Sequence, residues 1–179
     1  ALGEEYLVLE EGLSGRTTVF SDPLHECMSG LDVIYSTLMS HEPVDLLIIM
    51  LGTNDCKTRY RASASVIAKG LDQVIRKARQ NASRHFDLLV ISPIHLGVGV
   101  GDADFDPEFD ATSVAVSRNL ANEYRKIALQ NHAAFLNASD FAAPSVTDRE
   151  HMDEKGHAAL ADAVYNKKKK KKKGLSHVI

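Results

Sequence analysis

The sequence predicts an α/β sandwich built on a parallel sheet, and three observations point there. Continuous apolar runs, the mark of strands covered on both faces, occupy residues 45–51 and 86–91. Segments with helical apolar spacing separate these runs from each other and from two shorter apolar stretches. Strands that alternate with helices pair in parallel through right-handed crossovers, and such sheets carry their functional residues on loops at the carboxyl ends of the strands.

The elements follow in order. Ala1, Leu2 and Gly3 read as the end of a helix, with Gly3 as its left-handed stop. Residues 6–9, Tyr-Leu-Val-Leu, read as a short buried strand. A chain that opens on a helix end, without Met, is expected to continue an earlier segment. Leu31, Ile34 and Leu38 form one helical face that closes before Pro43. After the strand at 45–51, Ile67, Leu71, Val74 and Ala78 recur at helical spacing among polar neighbours, as on a surface helix. The strand at 86–91 stops at Ser92-Pro93. Val116, Leu120, Tyr124 and Ile127 mark another helix, residues 133–136 a short strand, and 153–165 a last helix with Asp153 as N-cap.

Two segments stand outside this alternation. Residues 94–110 hold Gly97 and Gly99, then Asp102, Asp104, Asp106, Glu108 and Asp110. Alternating carboxylates suggest a calcium loop, but Pro107 stands where its turn needs glycine and no glutamate closes it; a solvated, mobile lid is expected. Residues 167–173 are seven consecutive lysines, whose mutual repulsion disfavours a packed helix. The reading is one domain over 1–166, followed by a tail over 167–179 that is disordered or artefactual.

Composition bounds the function. At 179 residues, 44% hydrophobic and 25% charged, the chain suits one globular domain with a sizeable core. A net charge of −3 gives no electrostatic reason to expect nucleic acid or a membrane as partner. The longest apolar run, 46–51, is far too short to cross a bilayer. Cys27 and Cys56 make no C-x-x-C unit and no disulfide framework, which favours a reducing, cytoplasmic setting. Self-association as a homo-oligomer is compatible with all of this.

Three strand-end loops hold the chemistry: Glu11-Gly12-Leu13-Ser14-Gly15-Arg16-Thr17-Thr18, Gly52-Thr53-Asn54-Asp55, and Asp148-Arg149-Glu150-His151. Asp148 and His151, three residues apart on a turn entering a helix, suit a carboxylate that accepts the Nδ1 proton of a general base. Asn54, at the end of a buried strand, suits an amide donor to a developing oxyanion. Gly15 can bring its backbone N–H close to a ligand. A base, its orienter and two oxyanion donors leave the nucleophile's role empty. Each feature alone is common; their joint order at strand ends carries the weight.

These three stretches resemble blocks II, III and V of the SGNH/GDSL hydrolases, and the first two resemble most the bacterial arylesterase and acyltransferase branch. The resemblance runs from Ala1 to about Tyr165. It implies a flavodoxin-like three-layer sandwich that hydrolyses a small-molecule ester substrate through an acyl-enzyme, with no metal or organic cofactor. Gly15 and Asn54 would form the oxyanion hole, His151 would act as base and then acid, and Asp148 would orient it.

The family's first block, a Gly-Asp-Ser stretch with the nucleophile, does not occur in this sequence. The resemblance would place it before Ala1, so the chain is expected to lack its first strand and helix and to be inactive alone. Ser14, Ser92 and Ser176 are weak substitutes, none in the family's nucleophile position. Arg149 and Glu150 replace a small residue usual in the family and leave the dyad's geometry open. His95 reads as an exposed loop histidine and His157 as a helix-surface one. Two other readings stand beside the esterase: a catalytically inactive domain of the same fold that binds a ligand or partner, and an unrelated flavodoxin-like binding domain. Intact Asn54, Asp148 and His151 weigh against the first, and the lack of a phosphate-cradling loop weighs against the second.

Overall fold

A computed structural model describes residues 6–174, with backbone alone from residue 168. Its elements are α1 (Gly30–His41), β1 (Leu46–Ile49), α2 (Ala64–Asn81), β2 (Asp87–Ser92), α3 (Ala111–Gln130), β3 (Ala134–Asn137) and α4 (Glu154–Gly174). Short 3-10 turns lie at Asn54–Cys56 and Ala138–Asp140. The strands pair in parallel in the order β1-β2-β3, with Leu47 opposite Leu88 and Val90 opposite Phe135. Parallel pairing requires crossovers, and α2 and α3 supply them.

Side chains alternate across the strands and so divide the core in two. Ile49, Leu88 and Val90 pack with Ile34 and Leu38 of α1, Ile67 and Leu71 of α2, and Leu120 and Tyr124 of α3. On the opposite face Leu89, Ile91 and Leu136 meet Leu160 and Ala163 of α4. The result is the expected three-layer α/β sandwich with a parallel sheet. Ile67, Leu71, Ile75 and Ala78 of α2 are fully buried, and each of the larger three contributes about 1.5–3 kcal/mol over an exposed side chain.

Local chemistry sets the helix starts. The Ser29 and Ser63 side chains accept the Asp32 and Val66 N–H groups ahead of α1 and α2, and Asp110 with Ser113 forms a reciprocal cap on α3. Gly156 N–H donates to Asp153 Oδ1 at 2.7 Å, so Asp153 does start the last helix. That helix continues past the expected end at Tyr165 and runs its backbone through the lysines.

The structure differs from the sequence reading in further places. Residues 6–9 form no strand; Leu7, Val8 and Leu9 are 86%, 62% and 46% exposed. An apolar run becomes a buried strand only beside a partner, and among the described residues the only bridge in this region is Thr17 to Ser29. Second, β1 pairs with β2 alone among the described residues and is only partly covered on its second face: Leu46 packs against the α4-side cluster, but Ile48 and Met50 are exposed. Third, His95 is half-buried rather than exposed, since its N–H donates to Ser139 Oγ at 2.9 Å. The expected helix end at Ala1, Leu2 and Gly3 lies outside the described residues. Among the described residues no helix is long and apolar enough to cross a membrane.

Candidate active site

The Asp148–His151 pair is built by a tight turn ahead of α4. Arg149 adopts φ +61, and the reversal lets the Glu150 and His151 N–H groups both donate to Asp148 Oδ1 at 2.9 Å. Oδ2 is left to meet His151 Nδ1, also at 2.9 Å. The Ser145 hydroxyl donates to Oδ1 at 3.1 Å. Burial pushes the Asp148 carboxyl up, but these four donors outweigh it and hold it down to about 2. An ionised Asp148 keeps the proton on Nδ1 and leaves Nε2 as the basic nitrogen.

Nε2 belongs to a side chain that is 68% exposed. Its charged neighbour is Glu150, whose Oε1 lies 4.0 Å away. Glu150 is itself largely covered; burial, with Asp106 and Asp148 nearby, raises its carboxyl above the usual range against the pull of His151 and Lys57.

The loops that carry Gly15 and Asn54 meet at the end of β1. Gly52 has φ +123, and a Cβ there would lie 2.4 Å from the Tyr124 hydroxyl, which donates to the Leu51 carbonyl at 2.9 Å. Only glycine lets the chain pass Tyr124 and enter the Asn54–Cys56 turn. Asn54 Nδ2 then donates to the Arg16 carbonyl at 3.2 Å, next to Gly15, which has φ +85. One N–H of the Asn54 amide is thereby used to fix its plane and the other remains for a ligand. Gly15 and Asn54 are 39 positions apart in sequence, and the bond from Asn54 to the Arg16 carbonyl links their two loops.

Asp55 is the residue that joins these two loops, and the sequence reading passed over it. Fully buried, it accepts the Thr18 N–H on both oxygens at 3.0 Å and the Thr18 hydroxyl as well. Burial pushes its carboxyl up to about 6 although the Thr18 bonds pull the other way. No local signal marks it, because its partner is 37 residues away.

The remaining candidates fall elsewhere. Ser92 is buried with an unpartnered Oγ, Ser14 is exposed, and Ser176 lies outside the described residues. Burial lowers the His95 pKa, and the charge on Arg118 adds to this. His157 is exposed on α4, as expected. Cys56 is no nucleophile: burial pushes its thiol up, and Sγ donates to the Gly52 carbonyl at 3.3 Å. A cavity of about 410 Å³ lined by Asp22, His25, Cys27 and Met28 adjoins Gly15, whose missing Cβ would sit 3.3 Å from Met28 Sδ.

Comparison with known proteins identifies the family and the fold. The model of the GDSL-like Lipase/Acylhydrolase family matches residues 1–159. The fold is similar to Est24, a carbohydrate acetylesterase from Sinorhizobium meliloti (31% identity, TM-score 0.80, covering 92% of this chain and 80% of that one). It is also similar to the native M. smegmatis aryl esterase (29%, 0.79, 92% and 80%) and to a structure described as a putative arylesterase from Agrobacterium tumefaciens (29%, 0.74, 91% and 79%). Among curated proteins no match to this chain is found.

Proposed function

The chain belongs to the GDSL-like lipase/acylhydrolase family, and from that premise we propose that it forms the body of a carboxylic-ester hydrolase acting on small acyl or aryl esters. The observation that carries this reading is the Asp148–His151 dyad. A carboxylate held down to about 2 and bonded to Nδ1 serves a base that must carry a positive charge during acyl transfer. The names of the structural relatives, an aryl esterase and a carbohydrate acetylesterase, favour esters over other acyl compounds.

In this reading a serine hydroxyl attacks the ester carbonyl while its proton passes to His151 Nε2. The carbonyl oxygen becomes an oxyanion that takes hydrogen bonds from the free N–H of Asn54 and the backbone N–H of Gly15. Collapse expels the alcohol, which receives the proton from His151, and leaves an acyl-serine. Water, deprotonated by the same imidazole, then releases the acid. Asp148 stays ionised throughout and stabilises the imidazolium.

The family's Gly-Asp-Ser block has no counterpart among the 179 residues, and the carboxylates of Asp148 and Glu150 are what flank the two ring nitrogens of His151. The reading therefore assigns the nucleophile to a residue outside this sequence and holds the 179-residue chain inactive alone. Hydrolysis of p-nitrophenyl acetate tests both parts. The chain alone should show no rate above its own H151A variant, whereas a version preceded by a strand and helix bearing Gly-Asp-Ser should show turnover that H151A removes. Turnover by the chain alone that depends on His151 would place the nucleophile among these residues. No turnover in either would remove the esterase reading.

A further inference from the structure

The acidic loop expected to be a mobile lid is tied down at both ends, and its two anchorages are the two halves of the site. At its start, Gly97 N–H donates to the Arg149 carbonyl at 2.7 Å. The Arg149 guanidinium returns across the loop, donating from Nη1 to the Val98 carbonyl at 2.9 Å and to Asp102 Oδ2 at 3.1 Å, and it stacks 4.1 Å from the centre of the Phe105 ring. Gly97 and Gly99 leave room for this residue. A Cβ on Gly97 would meet the Arg149 Cβ at 2.8 Å, and one on Gly99 would overlap its Nη1.

At the loop's end, the Glu108 carbonyl accepts the Thr58 N–H at 2.8 Å, and its carboxylate takes Lys57 Nζ at 2.5 Å and the Arg59 guanidinium. Thr58 lies two residues after the Asn54–Cys56 turn. Between the anchorages the loop is braced by its own bonds, Asp106 N–H to the Val100 carbonyl and Phe105 N–H to the Asp102 carbonyl. Val100 and Phe109 are buried in the main core. One continuous, internally bonded segment thus connects the residue between orienter and base with the residues after the oxyanion donor.

We propose that Arg149 is a positioning residue of the site, acting through the 97–109 loop to hold the Asp148–His151 turn at a fixed place relative to Asn54, with Glu108 as the second fastening. The proposal rests on the reading of those three residues as base, orienter and oxyanion donor. It explains why a long cationic side chain stands where a small residue is usual in the family: a small residue has no reach to Val98, Asp102 and Phe105. Arginine suits the place because its planar group bonds and stacks at once, which lysine does not.

Amide hydrogen exchange on the 179-residue chain tests the coupling without needing turnover. R149G keeps the left-handed turn, since glycine adopts φ +61 freely, and removes only the side chain. Exchange of the Thr58 amide, at the far fastening, should then quicken by roughly fivefold or more. E108Q should quicken the Glu150 and His151 amides that report on Asp148 by a similar factor, because coupling between two sites is reciprocal. R149K should recover part of the Thr58 protection, as it keeps a charge for Asp102. Core amides such as those of Leu71 and Val90 should stay unchanged in all three, which separates the effect from unfolding. If R149G alters only Gly97 and its immediate neighbours, or E108Q leaves the dyad amides as they were, the two ends are not coupled and the proposal falls. Exchange coupling with no ester turnover in any version would instead overturn the esterase reading and leave the loop's role standing.

Discussion

Replacing Asp55 by Asn should change how stability depends on pH, because this carboxyl is fully buried and is held by the Thr18 N–H and hydroxyl and by its own backbone N–H. Burial raises it from 3.8 to about 6, a gap that corresponds to roughly 3 kcal/mol. The sign follows from proton binding. Below pH 3.8 both folded and unfolded chains hold the proton and nothing is lost. As pH rises toward 6 the unfolded chain releases it first, so folding becomes less favourable, and the loss levels off above about 6. Asn carries no proton to lose, but it exchanges one acceptor for a donor facing Thr18 and forfeits about 1 kcal/mol at every pH. D55N should therefore be less stable than the parent at pH 3, equal to it between about pH 4 and 5, and more stable by roughly 2 kcal/mol at pH 7. Urea unfolding followed by circular dichroism gives these differences; the chain has no tryptophan to serve as a fluorescence probe. Parent and variant curves that run parallel from pH 3 to 8 would refute the idea that Asp55 is a buried, strained carboxylate.

Gly52→Ala should cost roughly 2–4 kcal/mol, from a backbone held at φ +123 and a Cβ that displaces the Tyr124 hydroxyl from the Leu51 carbonyl. A thermal melt would then fall by about 5–15 °C, and an unchanged melt would mean that the approach of α3 to this turn is loose. The Asp148 carboxyl should titrate near 2 by carbon NMR, with stability that it supplies present above the unfolded value of 3.8 and lost as pH falls through about 2. Ser145→Ala removes one donor and should move that midpoint upward; a midpoint unmoved would show that the hydroxyl takes no part in holding the charge.

Much of the fold was legible in the chain because its helices bury strict apolar faces. Leu71 and Ala78 at helical spacing, and the run ending at Ser92-Pro93, allow little else. The failures share one cause, dependence on a neighbour that spacing does not reveal. Leu7, Val8 and Leu9 have strand composition and no strand beside them among the described residues. Ile48 looks like a buried residue and lies on the partly covered face of β1. The acidic loop was read by its carboxylates, yet Val100 and Phe109 hold it to the core. They were the available signal, two isolated apolar residues in a stretch otherwise suited to solvent.

The site divides in the same way. Asp148 and His151 are near neighbours and could be read together, and Asn54 and Gly15 follow from the order of the motifs. Asp55 could not, because Gly-Thr-Asn-Asp alone describes a turn and its partner Thr18 comes from a different loop. Arg149 in the sequence leaves the dyad's geometry open, because its reach to Val98, Asp102 and Phe105 depends on the fold.

The central claim is that His151, oriented by Asp148, activates a serine that is not among these 179 residues. Labelling the protein isolated from its source with a fluorophosphonate ester, followed by peptide mapping, tests it most directly. The account predicts one labelled serine, in a Gly-Asp-Ser stretch outside this sequence, and labelling that H151A slows by orders of magnitude. A label on any serine within the sequence, or labelling that H151A leaves untouched, would contradict it.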